Sequence, residues 1–328
     1  GTHHTKMFVI YFSGCCRVVV HTANLIAIDW AFKSQGVWFE DFPLKSPDSP
    51  KTSSFEVSLS KYLTCVGVPC DNVARHDFSK THVHLCYSTP GYHQGQAMRE
   101  NGHMRIRHLL SQHPTPARFQ GAPLVAQISS MGSLDEKWLD TELVHSFAPV
   151  SGLVGLAPRT QLKIVWPTIE DVRNSLAGYS SGASIPFDCK NYKPFLDRML
   201  HRWRGDPAYG RHAAMPHIKT YFRKKAGDST TPWFLLTSSN LSKAAWGSLQ
   251  KGGSQLLVRS YEMGVMIFGD TTPLCLGGGP VDSEQLRCPT PFETELVPYE
   301  KGKDVPWQWN LKLDAPDVFG QTWPPRDA

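Results

Sequence analysis

Two short constellations, far apart in the chain, carry the same reactive side chains in the same order. His4-Thr5-Lys6 leads into a strand-like run and is followed by Asn24; His217-Ile218-Lys219 leads into another and is followed by Asn240. Lys and Asn are 18 positions apart in the first copy and 21 in the second, where the polar stretch 223–232 can absorb the difference. Each Asn stands six residues before a Trp, Trp30 or Trp246. On a strand, residues i and i+2 share a face, so each imidazole projects beside its ammonium group. Facing copies would converge two imidazoles, two ammonium groups and two amides, a set suited to gripping a phosphate and breaking one of its ester bonds. Lys and Asn donate to the non-bridging oxygens, one His attacks phosphorus, and the other protonates the leaving oxygen. One His-x-Lys alone is ordinarily a surface accident, and one Asn after a strand a turn or a cap. The repetition of type, order and interval lifts the pair above that.

The elements that must hold these groups read as strands alternating with helices, the pattern of an α/β chain. Runs 7–12 and 17–21 read as strands joined at Ser13-Gly14, and 161–166 as a strand ended by Pro167. Thr168 with Asp171 reads as a capping box opening a helix through Ala177. In 193–203, Phe195, Leu196, Met199, Leu200 and Trp203 fall on one helical face. Runs 233–237, 255–259 and 264–268 read as buried strands, and 241–246 as helical. The Pro-, Ser- and Gly-rich stretches 43–54, 223–232 and 270–291 read as loops. Gly277-Gly278-Gly279 lacks the Lys-Ser/Thr of a phosphate-binding loop, and Trp30 and Trp246 read as core packing.

Composition narrows the classes. With 41% hydrophobic and 19% charged residues the chain reads as globular rather than disordered or fibrous, and its 328 residues suffice for about two domains. No apolar run reaches the roughly 18 residues of a membrane span, and the first residues do not read as a signal peptide. A net charge of +5 is compatible with a polyanionic substrate without proving one. Eight cysteines with no C-x-x-C pair, and histidines without ligand spacing, argue against a disulfide framework and a zinc site.

H-x-K followed at a distance by Asn, twice per chain, resembles the phospholipase D superfamily, whose motif is H-x-K-x4-D. The Asp positions hold Tyr11 and Lys224 here, a departure that marks the tyrosyl-DNA phosphodiesterase family. THHTKM, VVVHTANLIAIDW, SQGVWF, STPG, MGSLDEKW, AMPHIKTYFRK, WFLLTSSNLSKAAWG, QLLVRSYEMGV and PWQWN are similar to that family along almost the whole chain. The resemblance implies two similar α-β-α sandwich halves related by a pseudo-twofold, residues 1–80 and 81–328, with the active site at their interface.

It further implies a DNA repair phosphodiesterase that removes tyrosine, or the peptide of a stalled type IB topoisomerase, from a DNA 3′ phosphate. His4 is then the nucleophile and forms a phosphohistidine. His217 is the acid to the tyrosyl oxygen and afterwards the base for water. Lys6, Lys219, Asn24 and Asn240 hold the phosphate; Glu262 bonds His4 and Gln35 bonds His217. Ser130, Ser133, Ser184, Pro186, Ser242, Lys243 and Trp309 match positions near the substrate, though loop hydroxyls and a helix start account equally well for any one of the polar ones. Trp307 and His3 read as structural. No metal or other cofactor is implied, because the lysines carry the positive charge. The implied partners are single-stranded or frayed DNA 3′ ends, handled by a monomer in the nucleus, with the mitochondrion as a second compartment. A half-domain built like its partner needs more strands than 1–80 supply, so upstream sequence is expected to lie outside this chain. Another superfamily phosphodiesterase, a nuclease or phospholipase, is the alternative; a DNA-end-binding homologue without turnover is the second.

Overall fold

An eight-stranded mixed sheet forms the core, in the order Thr2–His3, Ser260–Phe268, Trp233–Thr237, Thr220–Arg223, Leu124–Gln127, Leu162–Trp166, Leu200–Arg202, with Val83–Ser88 paired to Ser260–Phe268 on the edge away from Trp233–Thr237. The computed structural model describes residues 1–49, 52–149, 161–280, 282–288 and 290–324. Trp233–Thr237 and Thr220–Arg223 are buried at every position, as strands covered on both faces must be, which is why Trp233–Thr237 reads as an almost continuous apolar run. Helices Ser54–Cys65 and Gly102–Gln112 pack over Val83–Ser88. The chain is α/β, as the alternation of elements predicts. No helix of the described residues is long and apolar enough to cross a membrane.

Residues 1–80 and 81–328, the two parts that the resemblance implies, contribute unequally. Residues 1–80 contribute a three-stranded antiparallel sheet, Met7–Tyr11, Cys15–His21 and Val37–Pro43, together with the helix Ser54–Cys65. Its first two strands are the expected hairpin about Ser13-Gly14. Two short parallel pairings tie this part to the rest: Thr2–His3 to Ser260 and Tyr261, and Lys33–Ser34 to Met215–Pro216.

Several elements depart from the pattern-based reading. Residues 193–203 do not form a helix: Pro194–Leu196 make a single 3-10 turn, and Leu200–Arg202 run as an edge strand parallel to Leu162–Trp166. Leu196, Met199, Leu200 and Trp203 are still buried, so turn plus strand satisfies the apolar spacing that mimicked a helical face. The capping box at Thr168 and Asp171 is present, but its helix Ile169–Arg173 ends before Ala177. The expected loop 270–291 contains paired strands Leu274–Leu276 and Leu286–Cys288, and Thr230–Thr231 in 223–232 pairs with the first of them. Positions 50, 51, 281 and 289 of the expected loops lie outside the described residues. The N–H groups of Gly277 and Gly278 are taken up by Thr290 Oγ1 at 2.7 Å and Asp206 Oδ2 at 3.2 Å, leaving no anion cradle there.

Candidate active site

The two repeated motifs meet at the junction of the unequal parts, held by matching backbone contacts. His4 N–H donates to the Tyr261 carbonyl at 3.0 Å, and His217 N–H donates to the Ser34 carbonyl at 2.9 Å. Tyr261 is followed by Glu262 and Ser34 by Gln35, so each histidine is hung from the residue just before the polar one expected to serve it. The Lys6 carbonyl accepts from His21 N–H at 3.0 Å, and the Lys219 carbonyl from Thr237 N–H at 3.1 Å. Each donor lies three residues before its Asn, which fixes Asn24 and Asn240 in one register despite their different sequence intervals.

The side chains repeat the correspondence. Lys6 Nζ donates to the His4 carbonyl at 2.8 Å, and Lys219 Nζ donates to the His217 carbonyl. Thr22 Oγ1 donates to Gln35 Oε1 at 2.8 Å and accepts from Gly36 N–H at 2.9 Å; Ser238 Oγ donates to Glu262 Oε2 and accepts from Met263 N–H at 3.1 Å. These two hydroxyls, each two residues before an Asn, belong to no motif that sequence reasoning alone assigns a role. Their signal was a hydroxyl at the same place in both copies.

The correspondence fails at one point. Glu262 Oε2 lies 2.9 Å from His4 Nδ1. Gln35 makes no hydrogen bond to His217; its Nε2 donates instead to the Asp29 carbonyl at 3.0 Å. The group beside His217 Nδ1 is the Asp29 carboxylate, with Oδ2 at 3.3 Å. Asp29 is fully buried, and Oδ2 also accepts from Asn24 N–H at 2.7 Å. An acidic residue inside the otherwise apolar run LIAIDWAF was the available signal for it.

The site is a pool of desolvated positive charge. Burial, reinforced by Lys6, drives the Lys219 ammonium well below the usual lysine range, and burial lowers Lys6 as well. Lys33, whose Nζ donates to the Ser181 carbonyl, is lowered to about 8 by burial despite Asp29 nearby. His217 is pushed down by burial and then by Lys219, Lys6, His4 and Lys33, so its ring is neutral in the free protein. Among the described residues neither Lys6 nor Lys219 has a carboxylate within ion-pairing distance, and each has spent one of three N–H donors on a carbonyl. Two donors per lysine remain for an anion.

A family model described as tyrosyl-DNA phosphodiesterase matches residues 1–300. The chain belongs to the tyrosyl-DNA phosphodiesterase family. It is 40% identical to tyrosyl-DNA phosphodiesterase 1 of Arabidopsis thaliana over 99% of this chain and 62% of the relative. It is 34% identical to a probable tyrosyl-DNA phosphodiesterase of Caenorhabditis elegans over 99% of this chain and 72% of that one. The crystal structure of the yeast tyrosyl-DNA phosphodiesterase shares the fold, with a TM-score of 0.73 over 93% of this chain and 76% of that chain at 20% identity. The chain thus spans about three fifths of the Arabidopsis relative's length.

The positions that the tyrosyl-DNA phosphodiesterase resemblance places near substrate divide into two groups. One rim is a docked pair of loops: Ser129 N–H donates to Asn240 Oδ1 at 3.1 Å, Gly132 N–H to the Leu241 carbonyl at 3.1 Å, and Met131 N–H to the Pro186 carbonyl at 3.4 Å. Ser130, Ser133 and Ser184 keep hydroxyls without a hydrogen-bond partner among the described residues. Ser242 is engaged as the N-cap of Lys243–Trp246, accepting from Ala245 N–H at 3.1 Å, and Lys243 pairs with Asp135. Trp309 is 46% exposed, whereas Trp307 is fully buried with Nε1 on the Gly182 carbonyl. His3 stacks on Tyr261. Trp246 is core, as expected, but Trp30 is 55% exposed and its Nε1 donates to the Asn24 carbonyl at 2.9 Å. Its ring steadies the Asn24 loop rather than filling the interior.

Proposed function

We propose that the chain hydrolyses the phosphodiester between a tyrosyl oxygen and a DNA 3′ phosphate through a covalent intermediate on His4. The observation that carries this reading is the pair of lysines, Lys219 fully buried and Lys6 half-buried, that have no carboxylate partner among the described residues and stand beside two imidazoles in one junction. Desolvated cations of this kind are stabilised by a bound anion, and a phosphodiester has the charge and the paired non-bridging oxygens to take their free donors.

Roles follow from the environments. Glu262 on Nδ1 leaves His4 Nε2 with its lone pair for phosphorus, and it offsets the cation formed when the P–N bond closes. Binding of the anionic substrate counters the cations that keep His217 neutral, so the ring can take up a proton and act as acid. As the P–O bond to tyrosine breaks, His217 gives that proton to the phenolic oxygen. A water then attacks phosphorus, its proton passes to His217, and the P–N bond breaks with its electrons returning to His4. Tyrosine and a 3′-phosphate leave. Lys6, Lys219, Asn24 and Asn240 hold the non-bridging oxygens throughout.

Ser130, Ser133, Ser184, Pro186, Ser242, Lys243 and Trp309 form the surrounding contact set for the nucleic acid and peptide. A topoisomerase-derived peptide on a single-stranded or frayed 3′ end is the natural substrate in this reading, handled by a monomer where DNA resides, in the nucleus and the mitochondrion.

The test is incubation with a 3′-phosphotyrosyl oligonucleotide and, separately, with phosphatidylcholine vesicles. Tyrosine release with 3′-phosphate product, undiminished by EDTA because the lysines supply the charge, supports the reading. Cleavage of lipid alone, or oligonucleotide binding without turnover, sinks it.

A further inference from the structure

His217 Nδ1 and Asp29 Oδ1 are both buried without a hydrogen-bond partner, on two side chains that approach to 3.3 Å through Nδ1 and Oδ2. An orphaned buried polar atom is costly, and a small ring rotation would pair this one. Hydrogen bonds within catalytic sites are often loose before substrate arrives and tighten with it.

We propose that Asp29 is the positioning residue of His217, orienting the imidazole through Nδ1 and neutralising the imidazolium during proton transfer. The inference deepens the proposed function and rests on it. It reassigns the part that the resemblance gives to Gln35. That side chain is already committed, accepting from Thr22 Oγ1 at 2.8 Å and donating to the Asp29 carbonyl at 3.0 Å. Gln35 therefore holds the backbone of Asp29, and Asp29 faces the ring. Charge makes the same case. Lys219 and Lys6 face His217 from its own motif and from the first motif, Lys33 from the docked strand Lys33–Ser34, and His4 from across the site, and all of them oppose protonation. Glu262 is engaged with His4. Asp29 is the carboxylate in contact with His217, and a neutral amide at Gln35 supplies no countercharge. Because Asp29 Oδ2 also takes Asn24 N–H at 2.7 Å, the acid and one phosphate-gripping amide are mechanically joined.

The test compares two thymidine 3′-phosphodiesters in single turnover: a tyrosyl ester, whose phenolate needs a proton to leave, and a p-nitrophenyl ester, whose phenolate does not. Asp29→Asn is expected to slow the tyrosyl ester by about 100-fold and the nitrophenolate burst by less than about threefold. The basic limb of the tyrosyl profile should move to lower pH, since losing the countercharge lowers the His217 pKa. Gln35→Leu should leave that limb in place. Equal losses on both esters, or a limb moved by Gln35→Leu but not by Asp29→Asn, overturns the assignment. Nitrogen-15 NMR of the His217 ring provides a readout free of turnover: Asp29→Asn should shift the Nδ1 resonance, and an indifferent spectrum contradicts the inference. If wild type cleaves neither ester, the proposed function falls while the ring spectrum still decides this one.

Discussion

His217 hangs from Ser34: its N–H donates to the Ser34 carbonyl at 2.9 Å, and the next N–H, of Ile218, donates to the same oxygen at 2.8 Å. An imidazole of the large part is thereby positioned by a strand of the small one, as His4 is positioned by Tyr261 in the opposite sense. Neither motif is complete without the other part's backbone.

That docking can be wedged open next door. A Cβ at Gly36 would stand 2.5 Å from Leu236 Cδ1 and 2.8 Å from Ile218 Cδ1. Gly36→Val should destabilise the protein by about 1–3 kcal/mol in denaturant titration through overpacking. It should also weaken phosphodiester turnover beyond what the lost stability explains, because Ile218 stands between His217 and Lys219.

Removing the fully buried lysine should separate stability from activity. Lys219→Met replaces a desolvated cation with an apolar chain of similar volume, which should raise stability at pH 7 by about 1–3 kcal/mol while turnover collapses. The stability gain should shrink as pH climbs toward the ordinary lysine value, since over that range the unfolded wild-type chain binds more protons at Lys219 than the folded one and the wild type grows more stable. Loss of both stability and activity would show that Lys219 is held by something other than substrate.

Glu262→Gln should leave the fold intact, because the amide oxygen can still accept from Ser238 Oγ, yet slow the covalent step by up to about 10⁴-fold. The countercharge to the phosphorylated His4 ring is what disappears. A rapid-quench assay of adduct formation checks this, and a rate within threefold of wild type would contradict the role given to Glu262.

Anion binding should be coupled to proton uptake. Burial holds His217, Lys6 and Lys219 low and Lys33 at about 8, and a bound tungstate or phosphodiester would raise each of them. Titration calorimetry near pH 8 in buffers of different ionisation enthalpy should show net uptake, with affinity falling as pH rises further. The same shift has a stability sign. Between about pH 8 and 10.5 the unfolded chain binds more protons at Lys33 than the folded one, so this group makes the unliganded protein more stable as pH climbs through that window.

Legibility in the sequence followed the range of the interactions. The hairpin about Ser13-Gly14, the capping box at Thr168 and the buried strands around Trp233 are local patterns, and they are present as local structure. Residues 193–203 misled because burial of Leu196, Met199 and Trp203 needs only an apolar face, which a turn and an edge strand also provide. The repeated His-x-Lys and Asn stood out by repetition. Asp29, Thr22, Ser238 and Lys33 did not, because their significance arises only when 27–35 dock against 215–217 and when a strand end meets Glu262. Gln35 shows the limit of transfer by resemblance: its place beside the second motif follows from the pseudo-twofold, but its hydrogen bonds go to Thr22 and Asp29.

The central claim, that both motifs act on one phosphorus, is tested most directly by locating the covalent intermediate. His217→Asn lacks the base for hydrolysis, so after incubation with a 3′-phosphotyrosyl oligonucleotide it should carry the oligonucleotide through phosphorus on His4, as read by mass spectrometry of the digested adduct. An adduct on another residue, or none despite normal release of tyrosine, would contradict the account.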